Sequence, residues 1–354
     1  MSEPLRVVVL GATGNAGTTV VDALAADPRV GSIVGVARRR PRVGAAKVEW
    51  RTANIVDADL VSLFRGADAV VHLAWLIQPS RREPVLRAVN VDGSRRVFEA
   101  VAAAGVPALV YASSVGAYSR GPKDRAVDES WPTAGIETSF YSRHKSEVEA
   151  ELDRFQTRNP GIRVARLRPG LIFRREAATG IRRLFLGPLF PGGAARPGLL
   201  PVVPDLERLR FQAVHSEDVG EAYRLAVVGE ASGAFNVAAE PVIDPAVLAE
   251  LLDARRLRLA AGVLRGAAAV SWRLRLQPTP PGWVDMALGV PIMDIGRARD
   301  ELGWSPRHTA TEALTELLEG LRDGAGYPTP PLDPGSSGRF RAREFATGVG
   351  RTSF

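Results

Sequence analysis

Tyr141 and Lys145 form a Tyr-x-x-x-Lys pair in a chain that uses five Tyr and, beside 43 Arg, only three Lys (Lys47, Lys123 and Lys145). On a helix, positions i and i+4 share a face, so a phenol and an ammonium would stand side by side. A Tyr placed that way can give and take a proton near neutral pH. A free Tyr has a pKa of about 10, so this needs a drop of roughly 3 units, about 4 kcal/mol. One ammonium at ~5 Å contributes about 3 kcal/mol at an effective dielectric of ~20. Arg at position 145 would keep the charge and lose the compact amine.

A second chemical feature is Gly11-Ala12-Thr13-Gly14-Asn15-Ala16-Gly17, which follows an apolar strand and opens a helical pattern. Glycines there allow a tight turn and let backbone N–H groups approach a pyrophosphate at a helix N-terminus. The second strand ends at Val36-Ala37-Arg38-Arg39-Arg40, and no acid occurs between Asp27 and Glu49. An NAD site usually carries an acid for the ribose hydroxyls at this point. Arg38 and Arg39 instead suit the 2′-phosphate of NADP, with NAD as the alternative. Ser113 and Ser114 close another apolar strand, at the sheet end where α/β proteins place ligands.

The elements that must position these residues alternate. Strand runs at Arg6–Gly11, Ser32–Ala37, Val48–Ala53, Ala69–Ala74, Ala108–Ser113 and Arg163–Leu167 are separated by helical patterns. The helical patterns fall at Gly14–Ala26, Ala58–Phe64, Pro84–Ala104 and Ser139–Arg158. This rhythm predicts an α/β fold, a doubly wound parallel sheet. After Pro169 the rhythm breaks. A strand at Arg210–Val214, a helix at Glu217–Val228 and a strand at Phe235–Ala238 are expected to return to the sheet. Asp244-Pro245 predicts a helix start, and Thr309 with Glu312 predicts a capping box. The expected division is a dinucleotide-binding domain over 1–175 with 210–240, a substrate domain over 176–209 and 241–325, and a flexible tail over 326–354. The segment Arg255–Leu276 is apolar and Arg-rich; it reads as a helix packed on the smaller domain, or as an interfacial amphipathic helix.

Composition narrows the function classes. There is no Cys, and the four His show no ligand spacing, so no metal site is expected. His72 and His215 read as structural, and His144 points away from the Tyr–Lys face. The net charge of +7 is spread among interleaved acids, which disfavours a nucleic-acid partner. No stretch reaches about 18 apolar residues, and no signal-peptide pattern precedes the first strand, so no membrane span and a cytoplasmic setting are expected.

These motifs resemble the extended short-chain dehydrogenase/reductase family, the NAD-dependent epimerase/dehydratase group. The resemblance rests on the Gly11–Gly17 loop, Val71-His-Leu-Ala74, Asn90-Val-Asp-Gly93, Ser113-Ser114 with Tyr118, Tyr141-x-x-x-Lys145, Arg168-Pro169 and Val214-His-Ser-Glu-Asp218. It implies a Rossmann-type domain, a smaller C-terminal substrate-binding domain and a homodimer. It also implies that Ser114 holds the substrate oxygen, Tyr141 exchanges its proton and Lys145 holds the nicotinamide ribose. Asn54 and Ile55 would contact adenine, with Asn replacing the usual Asp. Leu73, Ala74 and Asn90 would line the cofactor cleft, and Pro169 would pack near the nicotinamide. The substrate would be a small molecule. A reductase or dehydrogenase is favoured, because the acids of sugar dehydratases are missing after Ser114 and Arg168-Pro169 stands where nucleotide-sugar members commonly carry an Asn. A nucleotide-sugar epimerase with tightly bound NAD and a non-catalytic cofactor-binding subunit are the alternatives.

Overall fold

The computed structural model describes residues 3–337, except 43, 79, 188, 191–197, 199 and 200. Seven strands form one sheet: β1 (Leu5–Leu10), β2 (Val30–Ala37), β3 (Val48–Thr52), β4 (Ala69–His72), β5 (Ala108–Ala112), β6 (Arg163–Pro169) and β7 (Gly233–Val237). Their spatial order is β7-β6-β5-β4-β1-β2-β3, and all neighbours run parallel. Near-continuous apolar strands such as Val7-Val8-Val9-Leu10 require cover on both faces.

Helices supply that cover. α1 (Asn15–Ala26) and α4 (Ser216–Val228) pack on one face, where Val20, Leu24, Val219 and Tyr223 meet Val7 and Val9. α2 (Gly93–Ala103) and α3 (Phe140–Arg158) pack on the other, where Phe98, Leu152 and Phe155 meet Val8 and Leu10. The chain order reverses on either side of β1, and ligands of open α/β sheets bind outside the strand ends at such a switch point.

The helix expected over Pro84–Ala104 is interrupted. A π-helical turn at Ala88–Asp92 separates Glu83–Arg87 from α2, and it buries Asn90. π-Turns inside helices often mark functional positions. The expected helix starts hold: Asp244 caps Pro245–Leu252, and Thr309 with Glu312 forms the capping box of Ala310–Asp323.

Two expectations are corrected. The strand expected within Arg210–Val214 does not join the main sheet. Ala213–His215 pairs instead with Leu171–Phe173, because β7 occupies the sheet edge beside β6. The flexible tail expected from Gly326 is, over its first residues, a packed strap. Thr329 is 1% exposed and donates from Oγ1 to the Thr13 carbonyl at 2.9 Å, and Leu332 is buried. The Arg42 backbone N–H donates to the Pro328 carbonyl. The rest of that expected tail, residues 338–354, lies outside the described residues.

Candidate active site

The Gly-rich loop leaves β1 as a tight turn. Gly11 has φ +80°, and a Cβ there would meet the Ala74 backbone nitrogen at 2.8 Å. A Cβ on Gly17 would collide with the Gly11 carbonyl oxygen. α1 then begins at Gly14 without a side-chain cap, so its first N–H groups keep their donors for a ligand. Loop and helix therefore fit a dinucleotide pyrophosphate.

Around this loop the other expected cofactor residues divide. Leu73 and Ala74 leave β4 directly against Gly11. Ile55 is buried beneath Gly93, and Asn54 Oδ1 accepts from the Val56 N–H at 3.4 Å. Arg38 and Arg39 stand exposed just beyond β2. The Asn15 side chain turns away from the loop, receiving a hydrogen bond from Ser216 Oγ and donating to the Ile172 carbonyl. Both ends of the Asn90 amide hold the backbone of Leu76, at 2.7 and 2.8 Å. Asn90 thus shapes the β4 exit.

Ser114 follows β5 and accepts from the Gly116 N–H, starting a short turn at Val115–Ala117. Tyr141 lies in the first turn of α3, which Ser139 caps. The Ser114 side chain lies close enough to the Tyr141 phenol to favour its ionised form. The phenol is walled by indoles: Trp283 lies 4.9 Å from its ring centre and Trp75 5.9 Å away. Phe185 meets the far side of Trp283 at 4.9 Å. Trp283 and Met286 come from the helix Gly282–Gly289, and a Cβ on Gly116 would touch both Met286 and Tyr141.

The electrostatics differ from the expectation drawn from spacing. Burial pushes the Tyr141 phenol above its usual pKa, and the nearby Ser114 side chain offsets only part of that. Lys145 is 3% exposed, and its Nζ donates to the Ala112 carbonyl at 2.6 Å. The same ammonium lies 3.6 Å from the centre of the Trp75 ring and 5.9 Å from that of Tyr141. Burial lowers Lys145 to about 7, and the Glu149 charge opposes that fall. A Coulomb sum at one dielectric omits both desolvation costs, which is why it overstated the help Lys145 gives the phenol.

Behind Lys145, one turn further along α3, Glu149 is 1% exposed. It accepts from Ser113 Oγ at 2.5 Å, from Arg166 Nη1 at 2.8 Å and from Arg168 Nε and Nη2 at 2.8 and 3.0 Å. Burial would raise this carboxyl, but Arg168 and Arg166 overcome that and hold it at about 2. Arg168 also donates to the Tyr118 hydroxyl at 3.0 Å, so its guanidinium is committed beneath the site. Trp75, Trp283, Met286 and Glu149 were not singled out from sequence. Glu149 carried a signal, four residues after Lys145; Trp283, far along the chain, carried none.

His72 bonds Ser94 at 2.9 Å inside the core, and burial lowers it to about 3, in line with a structural role. His144 is buried beside Phe140, and burial lowers it to about 4.

Residues 7–238 match the family described as NAD dependent epimerase/dehydratase. The chain belongs to that family. An uncharacterized protein of Mycobacterium tuberculosis is 27% identical over 325 residues, covering 91% of this chain and 31% of the relative. The chain thus spans about a third of the length of the first curated relatives it matches. L-arabinose 1-dehydrogenase (NAD(P)(+)) of Haloferax volcanii is 38% identical over 110 residues, 31% of this chain and 41% of that protein. Among solved structures, the UDP-glucose 4-epimerase of Thermus thermophilus in complex with NAD superposes with a TM-score of 0.66 at 22% identity, covering 90% of this chain and 99% of that one. At that identity the likeness shows the fold, a Rossmann-type doubly wound sheet.

Proposed function

We propose that the protein is an NAD(P)-dependent oxidoreductase acting on a carbonyl or carbinol carbon, with Tyr141 as general acid and base. The observation that carries this reading is the closeness of Ser114 to the Tyr141 phenol, with Lys145 one helical turn behind it. It stands at the C-terminal end of the sheet, beside an uncapped α1 and a Gly-rich loop. Bound NAD(P) supplies hydride transfer at its nicotinamide.

The chain's own residues do the rest. Tyr141 Oη gives its proton to the carbonyl oxygen in reduction and takes one from the carbinol in oxidation. Ser114 Oγ holds that oxygen and orients the phenol. Lys145, fixed on the Ala112 carbonyl and the Trp75 face, carries donors toward the nicotinamide ribose. Trp75 and Trp283 exclude water from the phenol, which raises the strength of every charge interaction there. Backbone N–H groups of Gly14–Gly17 bind the pyrophosphate, with Thr13 on the turn before them. Arg38 and Arg39 hold the 2′-phosphate of NADP, which is the favoured cofactor over NAD.

A nucleotide-sugar epimerase with tightly bound NAD is the second reading. The solved structure of a UDP-glucose 4-epimerase with NAD supports it. Two observations support the reductase instead. Arg168, at the turn where nucleotide-sugar members commonly carry an Asn, is directed into the Glu149 network. The wall facing Tyr141 is aromatic. An intact Ser114, Tyr141 and Lys145 speaks against a non-catalytic subunit.

A panel of carbonyl compounds and nucleotide sugars, read by NADPH oxidation, tests the reading. Turnover of a carbonyl with freely exchanging NADPH supports it. NAD that copurifies and resists dialysis, with interconversion of a nucleotide sugar, would replace it by the epimerase.

A further inference from the structure

The helix Ala261–Arg273 of the C-terminal region carries an apolar edge on its outside. Val263 is 59% exposed, Val270 57% and, just past the helix, Leu274 64%. Positions 263, 270 and 274 are spaced by seven and four, so they lie along one helical edge, with Gly266 and Ala267 between them. None of the helix's residues is fully buried.

This orientation is held in place. On the inner side the Arg81 guanidinium stacks 4.2 Å from the Trp272 ring centre and also bonds the Trp272 carbonyl. Arg265 Nε bonds Asp285 at 2.8 Å, and Gln277 donates to the Ala268 carbonyl and Ser271 Oγ. The helix is thus locked with its largest aromatic residue inward and a Val-Val-Leu edge in water, where burial of apolar area would favour the reverse.

The stretch of chain that carries that edge holds charge of one sign. Between Asp253 and Asp285 the chain contains Arg255, Arg256, Arg258, Arg265, Arg273 and Arg275 and no acid. Arg255, Arg258, Arg273 and Arg275 are exposed, and no ion pair engages them among the described residues. Leu257 and Leu276 add exposed apolar side chains to the same stretch. An apolar helical edge flanked by arginines is the chemistry of a helix lying in the interface of an anionic bilayer. A second copy of this chain would bring four more such arginines against the first four, so charge selects the bilayer over self-association.

We propose that this face docks on anionic lipid headgroups, with Val263, Val270 and Leu274 entering the acyl boundary. The protein lies on the membrane and does not cross it: no helix among the described residues is long and apolar enough to do so. A cavity of about 770 Å³ begins at the root of the same helix, between Ala261, Arg265 and Leu259 on one side and Ile136 and Thr138 on the other. Ile136 and Thr138 lie in the loop that leads into the helix of Tyr141. Ala261 and Arg265 lie on the helix face opposite the docking edge, so this cavity stays clear of the lipid.

Flotation of the full chain with phosphatidylcholine vesicles, with and without phosphatidylglycerol, tests the proposal independently of any activity. The protein is expected to float with the anionic vesicles only, and to lose binding roughly tenfold as salt shortens the reach of the charges. Changing Val263, Val270 and Leu274 together to Asp should abolish flotation, while thermal unfolding and cofactor binding stay as in the wild type. Arg273→Glu with Arg275→Glu should do the same without touching the apolar edge. Flotation unchanged by both variants, or none with either vesicle, would overturn the proposal. So would sedimentation showing a dimer that the Asp variant dissociates, because a second copy would then cover the face.

Discussion

The Lys145 ammonium lies 3.6 Å from the centre of the Trp75 indole and donates a hydrogen bond to the Ala112 carbonyl. The cation is held by a ring face and a backbone oxygen, so the phenol of Tyr141 gains little from it directly. A buried amine of this kind also couples folding to pH.

Lys145 titrates near 10.5 when unfolded and at about 7 when folded, because burial disfavours its charge. Below both values it is protonated in either state and contributes no slope. Between them the unfolded chain binds the extra proton, so stability rises as pH climbs from about 7 toward about 10. Lys123, lowered to about 7 by burial, adds to the same trend. Lys145→Met should flatten the rise by its own share, on the order of a few kcal/mol across the window. Urea unfolding at both ends of the window measures it. An identical slope in wild type and variant would show that Lys145 is not desolvated.

Glu149 is locked by Arg166 and Arg168 inside the sheet–helix interface. Glu149→Gln leaves the buried Arg168 guanidinium without its carboxylate, while Arg166 keeps Asp153; breaking a buried pair costs about 3–5 kcal/mol. The wild-type contribution is present above the unfolded pKa of about 4.5 and is lost as pH falls toward the folded value of about 2. Denaturant midpoints of the two proteins should therefore converge in acid. A neutral-pH loss below about 1 kcal/mol would mean that the network is not stabilising as drawn.

Thr329 donates to the Thr13 carbonyl across the Gly-rich loop. Thr329→Val keeps the shape and removes the donor, leaving a buried carbonyl unsatisfied at a cost of about 1–3 kcal/mol. The loop that the strap holds is the one assigned to the pyrophosphate, so NADPH affinity should fall together with stability. Thr329→Ser should restore both. A fluorescence titration with NADPH gives the result, and an unchanged affinity in Thr329→Val would separate the strap from the cofactor site.

Much of this architecture was legible because it is written locally. The order of strands and helices follows from apolar runs such as Val7–Leu10 and from glycine turns such as Gly11. Tyr141 and Lys145 fall on one helix as their spacing predicts, with Ser114 just past a strand end. The remainder depends on contacts between distant segments. Trp283 reaches Tyr141 from the C-terminal region, and Thr329 reaches Thr13 across almost the whole chain. Neither has a local pattern to betray it. Spacing placed Lys145 on the right face of α3 but carried no information on burial, and burial decides the charge of both Lys145 and Tyr141. The pairing of Ala213–His215 with Leu171–Phe173 was hidden for a similar reason, since a short apolar run does not name its partner strand.

The most direct test of the account is the turnover of Tyr141→Phe at saturating NADPH, measured beside its NADPH affinity. The variant keeps the aromatic contacts with Trp75 and Trp283 and loses only the hydroxyl. Removing a positioned general acid should lower turnover by roughly 100- to 10,000-fold while NADPH binding stays within about twofold. Turnover close to wild type would contradict the assignment of Tyr141 as the proton donor, and with it the central claim.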